Sequence, residues 1–402
     1  MSKTIDFKYS PIIIKISKGK QSIFSDEPTI NFSSNIDYPR SEFGFHHFIH
    51  ASKNKLEVLK KFEGKKKVYL IHNQFEPYVD TNPNCIEETT KNKFNLKNLN
   101  RNFYKLWEII TIFGLSNDNA SMKFAHLGES TGGFVLCTST YRNELAKKIS
   151  SSDKYFIESD EIKNLDPDIL SQVKSKITSQ KSIDDTCDFV TADVNINLPN
   201  LNIYEQSASE KIINNIINMS KILKKGGSFV CKFYETFTMT SLKIISMLTE
   251  MFENVYFVKP LTSEMYDSEK FAVCVGYKNE KSIVNALNSL SKTLNSKKEK
   301  MNVTDLFESF HIQRDTLTAF IHMNLNFSNY QFKSINQVVD FIKKEIYFGE
   351  EFHDKTAEQQ ECAKYWISMF YSSKKYPELV NSLVKISNES IKNIDDMLVV
   401  NI

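Results

Sequence analysis

Short apolar runs alternate with amphipathic segments through the middle of the chain. Apolar runs of four to seven residues bounded by glycine or polar residues predict buried strands, and apolar residues at helical spacing predict the helices between them. This alternation predicts an α/β fold with a mostly parallel sheet. The strands are predicted near residues 124–127, 154–158, 187–193, 228–233 and 254–260, and the helices near 100–113, 133–146, 205–225 and 240–252.

The last predicted pair of strands differs from the rest. Only about ten residues separate the run that ends at Pro260 from the apolar run 270–277. This is too few for a crossover helix, so we expect an antiparallel hairpin. A mostly parallel sheet that ends in an antiparallel strand is the arrangement of Rossmann-like class I methyltransferases, for which seven strands are expected.

Composition divides the chain into three predicted regions. Residues 1–97 lack long helical periodicity and are expected to form an accessory region of short strands and loops, such as 12–16 and 67–71. Residues 98–280 carry the Rossmann-like pattern. Residues 281–402 are polar and amphipathic, which predicts a helical C-terminal region that packs on the sheet or binds a protein partner.

Charge and cysteine content exclude several classes of protein. Lys and Arg number 51 against 49 Asp and Glu, so the formal charge of +2 gives no argument for a nucleic-acid partner, and local features must supply it. The six cysteines lie far apart without a CxxC pair, which predicts buried thiols in a reducing compartment. No signal peptide or apolar window of about 18 residues is present, so we expect a soluble intracellular protein without a membrane partner.

Three features of the N-terminal region each have two interpretations. His46 and His50 could share a helical face as metal ligands, but no acidic or cysteine partner follows at ligand spacing, and ordinary histidines explain them. The lysines at 60, 61 and 65–67 could contact a phosphate backbone or form a solvated helix end. Aromatic residues could stack on a base, although core packing is their commoner use: Tyr69, Phe75 and Tyr78.

A glycine-rich loop follows the first strand of the α/β pattern. Gly128 stands at the strand's end, and Gly132 and Gly133 precede a helix, which is where ligands of open α/β sheets bind. The loop lacks the Lys-Ser/Thr of a P-loop, which argues against nucleotide triphosphate hydrolysis. Glu158 or Asp160, near the end of the next strand, could accept hydrogen bonds from ribose hydroxyls or be a surface acid.

Four ionisable residues fall where the topology brings elements to one rim of the sheet. Lys105 lies on the leading helix, Asp193 and Lys232 lie near the ends of central strands, and Glu269 precedes the antiparallel strand. Each alone could be an ordinary ion pair. Together with the glycine loop they predict an active site.

At these positions the sequence resembles the FtsJ-like 2′-O-ribose RNA methyltransferases over roughly residues 100 to 278. Five motifs occur in the family's order, and their residues are most similar to those of the mRNA cap methyltransferases. The motifs are Phe103-Tyr-Lys-Leu-Trp-Glu-Ile109, His126-Leu-Gly-Glu-Ser-Thr-Gly-Gly-Phe134, Phe189-Val-Thr-Ala-Asp193, Gly226-Gly-Ser-Phe-Val-Cys-Lys232, and Lys259-Pro-Leu-Thr-Ser263 with Ser268-Glu-Lys-Phe-Ala-Val-Cys274.

The resemblance implies transfer of a methyl group from S-adenosyl-L-methionine to an RNA ribose, without a metal. Lys105, Asp193, Lys232 and Glu269 would be catalytic, with Lys232 as the base if burial or the like charge of Lys105 lowered its pKa from about 10.4. The implied RNA contacts are Arg101, Lys259 and Ser263. The implied donor contacts are His126, Gly128, Glu129, Ser130, Gly132, Gly133, Phe134, Glu158, Asp160 and Asp193.

The resemblance tilts the expected substrate toward capped mRNA, with a ribosomal or transfer RNA as the alternative. The chain departs from the family pattern at Thr131, where a proline is usual, and at Val194-Asn195, where glycines often follow the aspartate. These departures motivate a third hypothesis, an inactive member that keeps the fold as an RNA-binding or assembly subunit.

Overall fold

The computed structural model describes residues 9–35, 45–78, 85–116, 120–129, 131–144, 152–163, 165–180, 186–196, 200–297, 301–371 and 380. Ten strands are found in these ranges: β1 (Ile12–Ile16), β2 (Ile30–Ser33), β3 (Lys123–Leu127), β4 (Lys154–Glu158), β5 (Ile177–Gln180), β6 (Cys187–Ala192), β7 (Leu223–Phe233), β8 (Phe252–Lys259), β9 (Lys270–Tyr277) and β10 (Asn302–Leu306).

Eleven α-helices connect or flank these strands within the same ranges. No helix there is long and apolar enough to cross a membrane. The helices are α1 (Phe45–Asn54), α2 (Ile86–Phe94), α3 (Arg101–Phe113), α4 (Gly133–Glu144), α5 (Ser159–Ile162), α6 (Pro167–Val173), α7 (Tyr204–Ile222), α8 (Met239–Met251), α9 (Lys281–Asn295), α10 (Arg314–Lys344) and α11 (Glu350–Phe370).

Eight strands form one sheet in the order β1-β8-β9-β7-β6-β3-β4-β5. The run from β5 to β7 is parallel, and β9 lies antiparallel between β7 and β8. The prediction of a mostly parallel Rossmann-like sheet with an antiparallel β9 is therefore confirmed.

The predicted number of seven strands is wrong by one. Ile12–Ile16 pairs antiparallel with β8, so a segment of the N-terminal region becomes the eighth strand. Ile13, Ile14 and Ile16 are buried there. The added strand satisfies the backbone groups of β8 that an open edge would leave unpaired.

Several local predictions outside the central sheet also need correction. Residues 67–71 were expected as a strand, but Val68–His72 is a 3₁₀ helix whose Tyr69 and Ile71 pack against Phe341 and Ile342 of α10. Helices α1 and α2 occur in the region expected to hold strands and loops. Residues 281–402 are not all helical, because β10 pairs with β2.

The helix before β7 was predicted to extend to about residue 225, but α7 ends at Ile222, and Gly226 and Gly227 lie in β7. The pairing with β6 is interrupted there, from Cys187 opposite Leu223 to Phe189 opposite Ser228. A Cβ atom on Gly227 would lie 2.9 Å from the carbonyl oxygen of Asp188. The glycine permits this close approach of the two strands.

Alternate residues of the strands feed two apolar layers on opposite faces of the sheet. In β3, Ala125 and Leu127 pack with residues of α7, α8 and α9, whereas Phe124 packs with residues of α3, α4 and α11. All six cysteines are buried and free, as the sequence predicted.

Candidate active site

The carboxyl ends of three neighbouring strands meet at one rim of the sheet. The register places Leu127 beside Ala192 and Ala192 beside Cys231. The next residues along each strand, Gly128, Asp193 and Lys232, therefore lie side by side. The backbone N–H of Asp193 donates to the carbonyl of Leu127 at 2.9 Å, which fixes this arrangement beyond the end of the strand.

Lys232 lies between two carboxylates. Its Nζ atom is 3.2 Å from Oδ1 of Asp193 and 3.0 Å from Oε2 of Glu269. Lys105 forms an ion pair with the other carboxylate oxygen of Glu269. All four side chains are buried. The structure thus brings together the four residues that the sequence placed on one rim.

Helix α3 supplies two groups to this cluster. Asn102 donates from Nδ2 to Oδ2 of Asp193 at 3.0 Å, and Lys105 follows one turn later on the same face. The helix begins at Asn100, whose side chain accepts from the N–H of Phe103, and ends at Gly114 in the left-handed conformation. Asn102 was not predicted, although its i, i+3 spacing to Lys105 could have indicated it.

Electrostatics in the cluster favour the charged forms. Burial acts to lower the pKa of Lys232, but the carboxylates of Asp193 and Glu269 outweigh it and hold that pKa well above its ordinary value. Burial likewise acts to raise the pKa of Glu269, but Lys105 and Lys232 hold it below its usual range. The condition set for Lys232 as a base, a lowered pKa, is therefore not met, because the carboxylates of Asp193 and Glu269 raise that pKa.

The loop between β8 and β9 supports Glu269 from behind. Lys259 donates from Nζ to the backbone carbonyls of Asp267 at 2.5 Å and Glu269 at 2.9 Å. The hydroxyl of Ser263 donates to Oε1 of Glu269 at 3.4 Å. Both side chains are buried, so these two predicted RNA contacts lie beneath the cluster and position Glu269.

Glu108, which the sequence did not single out, fixes the start of the same loop. Its carboxylate accepts from the N–H of Leu261 at 2.7 Å, the N–H and hydroxyl of Thr262 at 2.9 and 2.5 Å, and the indole N–H of Trp366 at 3.0 Å. Burial raises its pKa, which these hydrogen bonds oppose. One carboxylate thereby joins α3, the loop and α11.

The glycine loop packs tightly against Asp193. Gly128 has φ +64°, and a Cβ atom there would lie 2.4 Å from the carbonyl oxygen of Asp193. Glu129 is buried beneath the loop, where its carboxylate accepts from the N–H of Gly132 at 2.8 Å and of Phe134 at 3.0 Å. Burial and the charge of Asp193 raise the pKa of Glu129 to about 7. The side chain of Glu129 thus shapes the loop from inside the protein.

Thr131, the departure from the family pattern in this loop, is held by the start of α3. Asn100 donates from Nδ2 to the Thr131 hydroxyl at 2.9 Å. A Cβ atom on Gly133 would lie 2.0 Å from Oδ1 of the same asparagine. A hydrogen bond to Asn100 therefore fixes the position where a proline is usual.

One predicted donor contact does not face an open site. His126 is fully buried, with Nδ1 2.7 Å from the Thr191 hydroxyl and Nε2 3.2 Å from the Thr138 hydroxyl. Burial lowers its pKa to about 3, so the ring is neutral. Its ring nitrogens bond within the core and do not reach a ligand. Ser130 lies outside the described residues.

The acid beside the glycine loop differs from the predicted pair. Asp160 has a side chain that is 94% exposed, and Glu158 is half-buried. Glu161 instead accepts from the N–H of Gly128 at 2.6 Å through Oε1. Its Oε2 is buried and, within the described part of the chain, has no hydrogen-bond partner. Burial and Glu158 raise the pKa of Glu161 to about 8.

Comparison with known proteins agrees with this geometry. Residues 99–277 match the model of the family described as FtsJ-like methyltransferase. This stretch contains the glycine loop and all four clustered residues. Residues 99–277 form an FtsJ-like methyltransferase domain. The resemblance inferred from the five motifs is therefore confirmed.

Relatives match parts of the chain. A cap-specific mRNA (nucleoside-2′-O-)-methyltransferase 1 of Caenorhabditis elegans is 29% identical over 152 residues, covering 36% of this chain and 16% of that protein. An inactive cap-specific methyltransferase 1B of Caenorhabditis briggsae is 27% identical over 152 residues, with 36% and 18% covered. An uncharacterized protein of Acanthamoeba polyphaga mimivirus is 18% identical over 293 residues, 72% of each chain. The chain spans less than a fifth of the two nematode relatives.

Arg101 stands at the outer edge of the FtsJ-like domain. Its guanidinium lies 2.7 Å from Glu76 and 3.2 Å from Glu264, and its centre is 5.3 Å from the ring of Tyr78. The residue predicted to contact RNA is therefore engaged in ion pairs that join the N-terminal region to the loop before β9.

The histidines of the N-terminal region lie outside the FtsJ-like domain, on α1. His46 and His50 both lie against the ring of Phe237. Burial, then Lys53, lowers the pKa of His50 to about 4. In the described part of the chain, no group of three His, Cys, Asp or Glu residues could hold a metal ion.

Proposed function

We propose that the chain is an S-adenosylmethionine-dependent 2′-O-ribose methyltransferase that acts on cap-proximal nucleotides of mRNA. One observation carries the proposal: Lys232 lies within 3.2 Å of Asp193 and 3.0 Å of Glu269, and Glu269 in turn pairs with Lys105. Such a cluster beside a glycine loop offers what alkylation of a hydroxyl needs, namely alignment of the acceptor oxygen and a group that handles its proton.

The residues around the glycine loop fit the proposed donor. S-adenosylmethionine, when bound, would supply an activated methyl group. Gly128 and Gly132 let the loop pack closely against Asp193 and Ile169, and the unpartnered buried Oε2 of Glu161 suits a ribose hydroxyl. Asp193, which reaches both the loop and Lys232, would face the donor's methionine end.

The raised pKa of Lys232 changes the role first expected of it. An ammonium group has three N–H donors, and contacts to Asp193 and Glu269 use two of them. The third can hold the acceptor oxygen in line. For Lys232 to accept the hydroxyl proton it must first lose one of its own, and the two carboxylates make that neutral form scarce at neutral pH.

The cap-proximal substrate has two supports. The two nematode relatives are named as cap-specific mRNA methyltransferases. The residues of the glycine-loop motif and the aspartate motif also most resemble those of the cap methyltransferases. A cleft of about 990 Å³ also opens beside Ser268, the residue before Glu269, and offers room for RNA next to the cluster.

A methyl-transfer assay tests the proposal. Labelled S-adenosylmethionine is offered with capped RNA, uncapped RNA of the same sequence, and capped RNA whose first nucleotides are 2′-deoxy. We expect label on the capped ribose RNA alone, and loss of at least about 100-fold in rate for Lys232→Ala. Lys224→Ala, at the other end of β7, is the matched control. Full activity of Lys232→Ala would refute the catalytic assignment, and equal labelling of uncapped RNA would refute cap specificity.

The second candidate is an inactive RNA-binding or assembly subunit, which Val194-Asn195 and the inactive nematode relative favour. Calorimetry with S-adenosylmethionine separates the two. Absence of donor binding by a folded protein would favour the inactive subunit. A ribosomal or transfer RNA substrate would instead appear as donor binding with labelling of those RNAs and not of capped mRNA.

A further inference from the structure

A wide cleft lies between the N-terminal region and the FtsJ-like segment, beside the charged cluster. It measures about 990 Å³ and is bounded by the 3₁₀ helix Lys55–Phe62, by Tyr69, and by the loop that holds Tyr266 and Ser268. Ser268 immediately precedes Glu269. Whatever occupies this cleft therefore contacts the residue next to Glu269.

A smaller cavity of about 310 Å³ adjoins the cleft. Three consecutive lysines, 65 to 67, line it together with Tyr78 and Phe352. Lys67 also lines the large cleft. The two cavities thus share a wall residue and follow one another away from the charged cluster.

We propose that the two cavities form one groove that binds the single-stranded RNA attached to the acceptor nucleotide. Tyr266 provides a stacking surface for a base, and Lys65 and Lys67 contact phosphates. The inference rests on the proposed function, because it identifies how the acceptor of that same site is held. Tyr266 belongs to the segment 99–277 that matches the family, whereas Lys65 and Lys67 lie before it.

The distribution of charge supports a nucleic-acid ligand at this groove. The whole chain carries a formal charge of only +2, so long-range attraction to RNA must come from a local cluster. Residues 60–67 contain five lysines against one glutamate. Lys65 and Lys67 are exposed. The nearby ion pair between Lys60 and Glu57, at 3.4 Å, is also exposed. Because exposed ion pairs are weak, Lys60 remains able to contact a phosphate.

The aromatic wall supports base contacts near the charged cluster. Tyr266 is half-buried, and Tyr69 packs edge-on behind it, with the ring centroids 6.3 Å apart. Tyr69 itself is buried with Phe62 against Phe341 of α10. The backing ring and helix keep Tyr266 in place, and a rigid aromatic face is what stacking on an unpaired base requires.

Glu264 stands beside Tyr266 on the same wall, and Arg101 holds its carboxylate at 3.2 Å. A fixed carboxylate accepts hydrogen bonds from the amino and imino groups of a base edge and repels phosphate. This arrangement places bases at the inner end of the groove and leaves the phosphates to the lysines at its outer end.

Direct RNA binding with paired variants tests the groove. The Lys65→Ala/Lys67→Ala protein is compared with Lys281→Ala/Lys292→Ala, which removes two exposed lysines from α9. The probe is a fluorescent single-stranded RNA of about ten nucleotides. We expect the Lys65→Ala/Lys67→Ala protein to bind the RNA at least about 5-fold more weakly. The slope of log K against log salt concentration should also become shallower, by about 0.7 for each phosphate that the protein no longer neutralises. The control should bind like the parent protein.

Substitution of the aromatic wall gives a second readout. Tyr266→Ala should weaken RNA binding by about 5-fold or more without changing the salt dependence, whereas Tyr266→Phe, which keeps the ring, should bind like the parent. Equal effects of the two substitutions would refute stacking. Melting temperatures of all variants confirm that they are folded.

The binding and activity results separate this inference from the proposed function. If the parent transfers methyl groups and the lysine variant shows unchanged KM for RNA, the groove is refuted and the enzymatic function stands. If the parent is inactive but the lysine variant still loses RNA binding while the α9 control does not, the groove stands and the enzymatic function fails. With both correct, KM for RNA rises and kcat at saturating RNA is unchanged.

Discussion

Lys232 lies 3.2 Å from Asp193, and this contact links the ends of two adjacent parallel strands. Glu269, the residue just before the antiparallel strand β9, approaches the same Nζ atom at 3.0 Å. Three strands thereby place opposite charges around one lysine. The consequence is a raised pKa, which determines how the proposed reaction should depend on pH.

The first prediction concerns that dependence. Below a raised pKa the neutral form of Lys232 is a small fraction that grows about tenfold per pH unit, so log kcat should rise with a slope near 1 between about pH 7 and 9 without a plateau. Asp193→Asn removes one carboxylate and lowers the pKa of Lys232, so its profile should level off at lower pH. Rates are measured at saturating donor and RNA at each pH. A flat profile for the parent protein would exclude Lys232 as the base.

The second prediction compares two glycines with positive φ. Gly128→Ala should abolish donor binding and destabilise the protein, because the new Cβ atom would lie 2.4 Å from the carbonyl oxygen of Asp193. Gly226→Ala has φ +79° and no atom within 4 Å of its new Cβ, so it should cost only about 1–2 kcal/mol of backbone strain. Thermal unfolding and donor titration measure both. Similar behaviour of the two variants would show that contact with Asp193 does not matter.

The third prediction concerns Glu161. Its pKa is raised to about 8, so between about pH 4.5 and 8 the unfolded chain releases a proton that the folded protein keeps, and stability falls as pH rises. Glu161→Gln keeps the acceptor for Gly128 and cannot ionise. The melting temperature of this variant minus that of the parent should therefore become more positive from pH 5 to pH 8. Its affinity for S-adenosylmethionine should be lower than that of the parent. Unchanged donor affinity would remove Glu161 from the donor site.

The fourth prediction concerns Glu108. Glu108→Ala leaves four buried donors without an acceptor and should destabilise the protein by about 3 kcal/mol or more. Glu108→Gln retains one acceptor oxygen and should be less damaging. Chemical denaturation measures both free energies of unfolding. If alanine and glutamine were equally tolerated, the loop before Ser263 would be fixed by other contacts.

The order of elements and the charged rim were predictable because strand and helix periods, and the short link before β9, are local signals. Lys105, Asp193, Lys232 and Glu269 were found for the same reason: each stands at a strand end or on the leading helix. The structure adds what depends on tertiary contacts. Ile12–Ile16 looked like an isolated apolar run, and only pairing with β8 makes it part of the sheet.

Site details also depended on contacts that the sequence does not encode locally. His126 occupies a motif position, yet Thr138 and Thr191 engage its ring. Glu161 differs from Asp160 by a single position, but a short helix turns it inward toward Gly128. The pKa of Lys232 is raised and not lowered, because Asp193 and Glu269 both contact it. A sequence shows which charged residues lie near a rim but not which of them form pairs.

The hydrogen bond from Trp366 to Glu108 reaches from α11 into the helix that bears Lys105. Ile12–Ile16 likewise completes the edge of the sheet at β8. A fragment cut at residues 99 and 277 would lose both. The segment that matches the family is therefore not self-contained. A protein engineered to carry this domain would also need the strand β1 from before it and the helix α11 from after it.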